Sequence, residues 1–407
     1  MKYFRNTELA RLYNVSEKTV RNWIQAARQG KLDLQLYEKD AKHWVANTTK
    51  NNAVIEQQVN KGKKFKNSRG FKIISAPPKF YETYNTTQIL DIISNLTIHK
   101  EIPVQYGYVD GGAESWDKYA NRLITEETPN ILNQTIDLLD MHADYIDRVI
   151  GKERKVNVVD LGPGNGLAVR STIARLLEQD RLNRYIAIDI SQDLLDIVEK
   201  NIKEWFGGKV SFEGHIRNFN EQRFHDLFVQ DYSGNTDTTP ANLVFLLGGT
   251  LSNFRLPEHT LQVVNSSLAP DDLLFYSGYL DTPYTRRYFD LSGAAYNQED
   301  PQQSGLIPSF LHMDEKVCEY NQHFNAATRC RVKQLIPRLD LVLNFDIEGK
   351  VWQVDLPKGH PILLWRHCHY NPLDIVAMLD RNGFDIMQAT KSVDQNYILV
   401  AAKIKLS

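Results

Sequence analysis

Asp160-Leu-Gly-Pro-Gly-Asn-Gly166 sets an acid and three glycines (162, 164 and 166) within one short stretch. Glycines so spaced let the backbone turn with positive φ and let a ligand approach where a Cβ would block it. The run before them, Val156-Asn-Val-Val159, is β-branched and reads as a short buried strand. The run after them, with Leu167, Ile173, Leu176 and Leu177, reads as a helix. Strand, glycine turn and helix together open a doubly wound α/β sheet, whose ligands sit beyond the carboxyl ends of the strands. The dinucleotide fingerprint G-x-G-x-x-G does not fit, because Leu167 breaks the spacing. A second acid, Asp189, closes the next predicted strand, Tyr185–Asp189, 23 residues beyond Gly166. A carboxylate there can accept hydrogen bonds from both hydroxyls of a ribose.

Acid, G-x-G-x-G loop and strand-end acid together resemble motif I and the ribose site of S-adenosylmethionine (SAM) dependent methyltransferases. The resemblance implies that Asp160, Gly162, Gly164, Gly166 and Asp189 hold the cofactor. It also implies that Asn218 and Phe219, after a third strand over Lys209–Glu213, read and stack on the adenine. A fourth strand, Ala241–Leu247, runs into Gly248-Gly249-Thr250-Leu251-Ser252-Asn253-Phe254. Asn253 offers a donor and an acceptor to a substrate. It is equally placed to cap the helix that Leu256-Pro257-Glu258 opens.

L-G-G-T-x-x-N-F after strand four, with D-L-G-x-G-x-G after strand one, is similar to the histidine-specific SAM-dependent methyltransferases over roughly residues 71–405. That family includes the enzyme that trimethylates the α-amino group of histidine in ergothioneine biosynthesis. The resemblance implies a Rossmann-like class I methyltransferase sheet with an inserted α+β lobe closing an amino-acid pocket. Asn253 and Gly249 would meet the acceptor, and Tyr296 in Gly-Ala-Ala-Tyr would lie near its carboxylate. Histidine-methylating members carry T-E-I-S-x-K-F near the C-terminus. Here the matching segment is Leu364-Trp-Arg-His-Cys-His-Tyr370, so Trp365 replaces the Glu and His367 the Ser that hold the imidazole. An acceptor other than free histidine is therefore expected, larger, aromatic or anionic, with Arg366 nearby. His367 and His369 share one face of a predicted strand, with His360 close in sequence, but no second cluster completes a four-ligand set and no metal is expected.

The elements that must hold these residues follow in order. Residues 1–46 give two helices about Asn14-Val15-Ser16, with Leu9, Ala10, Val20, Trp23 and Ile24 apolar, Ser16 as the second helix's N-cap and Gly30 at its end. L-A-x-x-x-x-V-S-x-x-T-V-x-x-W-I resembles the helix-turn-helix of bacterial DNA-binding regulators and excisionase-like proteins. That implies a small all-α domain in which Lys18, Thr19, Arg21, Asn22 and Gln25 face the major groove, with Leu34, Leu36 and Trp44 available for a wing. Residues 47–70 read as a basic linker with a short helix near Ala53–Val59. The methyltransferase domain is expected over 71–407, with its substrate lobe at about 281–360. Before motif I, Tyr106–Tyr119 with Trp116 either caps the pocket or packs as an extension, and a long helix is predicted over Asn130–Val149. In the lobe, helical stretches are expected at Tyr284–Asn297 and Pro308–Asn325, and alternating strands thereafter.

Composition narrows the class. Residues 1–70 hold 15 Lys/Arg against 6 Asp/Glu, while the remainder holds 33 against 44. A basic head on an acidic body suits a polyanionic partner such as DNA. No eighteen-residue apolar run predicts a membrane span, and the N-terminus lacks the apolar segment of a signal peptide. Three widely spaced cysteines predict a cytoplasmic, disulfide-free chain, with Cys368 buried on the face opposite the histidines. The expected activity is N-methylation of a small-molecule or peptide amine with an amino-acid-like head. The alternative is a regulator whose methyltransferase-like domain senses SAM without catalysis. A base methylator is disfavoured, because Gly248-Gly249-Thr250 stands where [DN]-P-P-[YF] is usual.

Overall fold

In the computed structural model the described residues are 3–13, 15–39, 42–46, 48–67, 71–231, 239–291 and 305–406. Packing divides the chain into two units, residues 1–73 with 339–342, and residues 74–338 with 343–407.

The first unit runs β1 (Tyr3–Phe4), α1 (Asn6–Leu12), α2 (Glu17–Arg28), β2 (Leu36–Lys39), β3 (Lys42–Ala46) and α3 (Thr49–Asn67). Ser16 starts α2 as expected, its Oγ accepting the Thr19 N–H at 3.1 Å, and Gly30 follows it at φ +68°. Leu9, Val20, Ile24, Leu34, Val45 and Ile55 form the core. Two expectations are corrected. The unit is not all-α, since β1, β3 and β2 pair antiparallel in that order, with Leu36 and Trp44 in the strands. Residues 47–70 are not a linker: α3 fills most of them. Val54, Ile55 and Val59, in the stretch where a short helix is expected, pack into the core, and the helix runs on through the lysine-rich residues to Asn67. Buried Asn51 bonds the backbone of Gln35 and Ala46 and ties the start of α3 to the sheet.

The chain continues with β4 (Phe71–Ser75), α4 (Pro78–Thr83), α5 (Thr86–Ile98), α6 (Gly112–Thr125), α7 (Ile131–Met141), α8 (Ala143–Ile150), β5 (Val156–Leu161), α9 (Arg170–Glu178), β6 (Leu182–Asp189), α10 (Gln192–Phe206) and β7 (Phe212–Ile216). Then come β8 (Ala241–Leu246), α11 (Thr250–Asn253), α12 (Pro257–Asn265), β9 (Leu273–Tyr279), α13 (Pro283–Leu291), β10 (Cys318–Asn325), β11 (Cys330–Pro337), β12 (Asp340–Ile347), β13 (Lys350–Leu356), β14 (Ile362–Cys368), a helix over Pro372–Arg381, β15 (Phe384–Lys391) and β16 (Tyr397–Ile404).

Seven strands form one sheet in the order β15-β16-β9-β8-β5-β6-β7. The run β7 to β9 is parallel; β16 and β15 add antiparallel at one edge. Each central strand is apolar on both faces, as a sheet covered by helices on both sides requires. Val158, Ala187, Leu243 and Phe275 face α7 to α10. Val159, Ile188, Val244 and Leu274 face α12 and the Pro372–Arg381 helix. The strand order reverses direction between β5 and β8, so the loops after these two strands diverge and leave a crevice there.

The lobe between β9 and the Pro372–Arg381 helix carries the sheet β10-β11-β14 and the strands β12 and β13, which pair in the order β13-β12-β4 with the strand that precedes α4. Four expectations change in this unit. The helix predicted over Asn130–Val149 is two helices broken at His142, whose Nδ1 meets the Leu138 carbonyl at 2.7 Å and whose Nε2 meets the Thr390 hydroxyl at 3.1 Å. Most of Pro308–Asn325 is not helical: after one short helix over Leu306–Phe310, Cys318–Asn325 is a strand. Strand three lies later than predicted and ends at Ile216, two residues before Asn218. The chain is not disulfide-free: Cys330 and Cys368 are bonded, and they are cross-strand partners on β11 and β14. Cys318 is buried. Among the described residues no helix is long and apolar enough to cross a membrane.

Candidate active site

The crevice after β5 and β8 is a cavity, and its lining gathers residues from widely separated stretches of sequence. The first is the glycine loop. Gly162, Gly164 and Gly166 all have φ between +60° and +82°. A Cβ on Gly162 would stand 3.3 Å from Thr250 Cγ2 and 3.6 Å from the Phe219 ring, and one on Gly164 would stand 2.7 Å from Trp116 Nε1. Those two glycines keep the floor of the cavity clear. Gly166 does not line it. Gly166 turns the chain into α9, above Val198, Trp205 and the Tyr185 hydroxyl.

Two buried carboxylates flank the loop. Asp160 accepts a hydrogen bond from the Tyr185 hydroxyl at 3.1 Å. Burial raises its pKa to about 7 against that bond, with a further upward push from Asp189. Asp189 closes β6 and lines the cavity. Its Oδ1 accepts the Ser191 N–H at 2.9 Å, yet burial still lifts it to about 6. Asn218 and Phe219 complete this end, with Phe219 edge-on to Phe254 at 5.9 Å. Arg217 beside them is engaged by Asp226 at 2.6 and 2.9 Å.

The other end is aromatic and reaches into the lobe. Gly249 and Asn253, in the loop and short helix after β8, face His367 of β14. His367 Nδ1 lies 3.1 Å from Asn253 Oδ1, so the ring nitrogen donates and the amide oxygen accepts. A Cβ on Gly249 would come within 2.8 Å of His367 Cε1, and that close approach is what requires a glycine. Burial drives the His367 pKa well down, as does His369 beside it, so the ring is neutral. His367 stacks with Trp365 at 5.7 Å and meets the Tyr279 ring edge-on at 4.9 Å. Trp365 is half-buried. Tyr108, Trp116 and Tyr119 line the cavity from the segment before motif I, so that segment is part of the pocket wall.

Of the predicted site residues, Asp160, Gly162, Gly164, Asp189, Asn218, Phe219, Gly249, Asn253, Trp365 and His367 converge on this one cavity. Tyr296 lies outside the described residues. Asn253 is not the N-cap of α12: it ends α11, and Leu256 holds the cap position. Arg366 does not reach the cavity. It alternates to the other side of β14 and pairs with Glu101. His360 sits in an exposed turn, and among the described residues no cluster has the make-up of a metal site. Sequence reading missed Tyr279 and Lys333. No local signal marked Lys333: it shares the inward side of β11 with Arg331 and Leu335, an unusual place for a lysine, whereas the alternation of Val332 and Ile336 points the other way.

A SAM molecule fits this donor set. Glycines clear space over the loop, a strand-end carboxylate waits where ribose hydroxyls would lie, and an amide with an aromatic ring stands beyond it. A family model described as histidine-specific methyltransferase, SAM-dependent, matches residues 70–302, more than half of the chain. Among solved structures, a SAM-dependent methyltransferase from Clostridium acetobutylicum is similar at 11% identity, TM-score 0.39, over 72% of this chain and 99% of that one. The CcbJ methyltransferase from Streptomyces caelestis gives 12% identity, TM-score 0.37, over 74% and 98%. The glycopeptide N-methyltransferase MtfA, solved with SAM, gives 13% identity, TM-score 0.31, over 73% and 95%. These structural likenesses are too loose to carry a further argument. None of the curated proteins matches. With the family match and the Rossmann-like sheet in place, this chain belongs to the histidine-specific SAM-dependent methyltransferases and is an enzyme that uses SAM.

Proposed function

We propose that the enzyme N-methylates a small amine with an amino-acid-like head, and that free histidine is a poor acceptor. The observation that carries the reading is the Asn253–His367–Trp365 wall opposite the glycine loop. SAM supplies an activated methyl group, and the protein contributes orientation and exclusion of water. Asn253 is the group placed to hold the acceptor amine. Its oxygen already takes the His367 N–H, which fixes the amide and leaves its NH₂ for other partners. A neutral His367 adds no positive charge beside an amine that must reach the site unprotonated. No carboxylate stands at Trp365 to grip an imidazole, which is the reason free histidine is disfavoured. The family description agrees with amine chemistry.

Two measurements test this. In calorimetry SAM binds the wild type, and Gly164→Val weakens binding at least 100-fold, because the new side chain meets Trp116. Unchanged affinity would remove the glycine loop from the account. In a methyl-transfer assay across amino acids and short peptides, histidine ranks well below the best acceptor. Histidine at the top of that series would overturn the reading of Trp365.

For the first unit we propose a helix-turn-helix that binds DNA. Lys18, Arg21, Asn22 and Gln25 are exposed along one side of α2, and Thr19 is half-exposed beside them. That is the set a recognition helix needs.

A further inference from the structure

The loop that carries Asn253 is held from the sheet beneath it as well as from the lobe. β8 and β9 pair in parallel as far as Leu246 and Tyr276. Beyond that point the chain leaves the ladder, and Gly248 turns at φ +71°. Its N–H goes to a side chain, donating to Ser277 Oγ of β9 at 2.8 Å. The same Oγ lies 3.0 Å from Thr135 Oγ1 of α7. All seven residues of β9 are buried, and Ser277 shares its side of the strand with Leu273, Phe275 and Tyr279, in the core that α7 covers. A hydroxyl in such a place costs stability unless its hydrogen bonds are made. Ser277 makes one to the loop and one to the helix whose Ile131 and Thr135 line the cavity. Ser277 itself does not line it.

We infer that Ser277 is a positioning residue of the acceptor site, fixing the Gly248 turn and, through α11, the Asn253 amide. This rests on Asn253 holding the acceptor, as proposed above, and adds the residue that sets its place. Asn253 follows Gly248 by five residues, and Thr250 to Asn253 form one helical turn, so little slack separates the two. Without the Ser277 oxygen the Gly248 N–H must find another acceptor, and the turn moves to reach it. Asn253 then leaves the spot opposite His367 that the 3.1 Å contact marks. A small misplacement of a group that orients substrate lowers the rate even when the chemistry lies elsewhere. The glycine loop follows β5, not β8, so the cofactor end is not disturbed.

The test assays the full-length chain with radiolabelled SAM against the twenty standard amino acids and a set of dipeptides, and carries the acceptor that the wild type methylates fastest through the variants. Ser277→Ala should lower kcat/KM for that acceptor about tenfold, with SAM affinity by calorimetry within about twofold of wild type. Hydrogen exchange at the Gly248 amide should quicken in the same variant. Ser277→Thr, which keeps the hydroxyl, should recover most of the loss. In an Asn253→Ala background Ser277→Ala should cost less than about twofold, because the group it places is gone. A loss as large in that background as in the wild type, or no loss at all, would overturn the role of Ser277 and leave the amine reading standing. Asn253→Ala with unaltered acceptor kinetics would overturn the reading of Asn253 and this one with it. Intact SAM binding with no amino acid or dipeptide methylated would overturn both as well. Should Ser277→Ala unfold, Thr135→Val removes the hydroxyl on the far side of Ser277 and should give the same pattern at smaller size.

Discussion

Asp160 and Asp189 hold protons more tightly in the folded chain than in an unfolded one, where carboxylates titrate near 4. The sign of the consequence is fixed. Between about pH 4 and 7 the native state binds more protons than the unfolded state, so these two groups favour the fold at low pH, and that contribution is lost as pH rises through 6 to 7. With Asp189 at the ribose, as proposed, cofactor binding runs the other way, since only an ionised carboxylate accepts from both hydroxyls. The stabilisation that saturating SAM adds in a thermal-shift experiment should therefore grow from pH 5.5 to pH 7.5, and SAM affinity should fall by up to about tenfold per pH unit below 6. Asp189→Asn should flatten that profile; a wild-type profile already flat would show that Asp189 does not meet the cofactor. The residues at this end of the site were legible in sequence because their chemistry is local: an acid, glycines and a strand end within one run. Lys333 was not, since a lysine on a strand gives no local sign of whether its partner across the sheet is a tryptophan or water.

At the scale of elements, the central strands β5, β6, β8 and β9 announced themselves by apolar runs, while β7, Phe-Glu-Gly-His-Ile, carries no such run and lies later than predicted. The lobe was harder. β10 reads Cys-Glu-Tyr-Asn-Gln-His-Phe-Asn and is half-exposed. Its extended form comes from eight successive pairings with β11, not from any alternation of its own. Non-local pairing overrides weak propensity in this way wherever a strand has little to bury. The disulfide was hidden for the same reason, since only the β11–β14 register brings Cys330 opposite Cys368. It closes a 38-residue loop, and in the chain-entropy account such a link stabilises by about 3–4 kcal/mol. A reductant, or Cys368→Ser, should lower the melting temperature of the catalytic unit and raise KM for the acceptor more than KM for SAM, because Trp365 and His367 stand on the bridged strand. Identical melting curves with and without reductant would show that the bridge does not form in solution. The capping of α7 shows the opposite case, where local chemistry suffices. Buried Asn130 accepts the N–H groups of Leu132 and Asn133 and donates to the Leu123 carbonyl, fixing Ile131 and Thr135 in the cavity wall.

On the scale of the whole molecule, charge is divided along the chain, with the excess of lysine and arginine confined to the first 70 residues. The full-length protein should retard duplex DNA at low salt, with affinity falling steeply as salt is added. Arg21→Ala should weaken the shift without altering SAM affinity. Retention that ignores salt, or none at any salt, would leave α2 without a nucleic-acid role. The wall of the cavity is drawn from separate parts of the sequence: residues 160 to 253 supply the glycine-loop end and the Asn253 amide, the proposed donor side, while β11 and β14 supply Lys333, Trp365 and His367 from an insertion between β9 and the Pro372–Arg381 helix. If the proposed division holds, evolution can retool what is methylated by drifting in one inserted segment while the machinery for the methyl donor stays under its own selection. Swapping β11 and β14 between relatives becomes a practical route to new acceptors on an unaltered donor site.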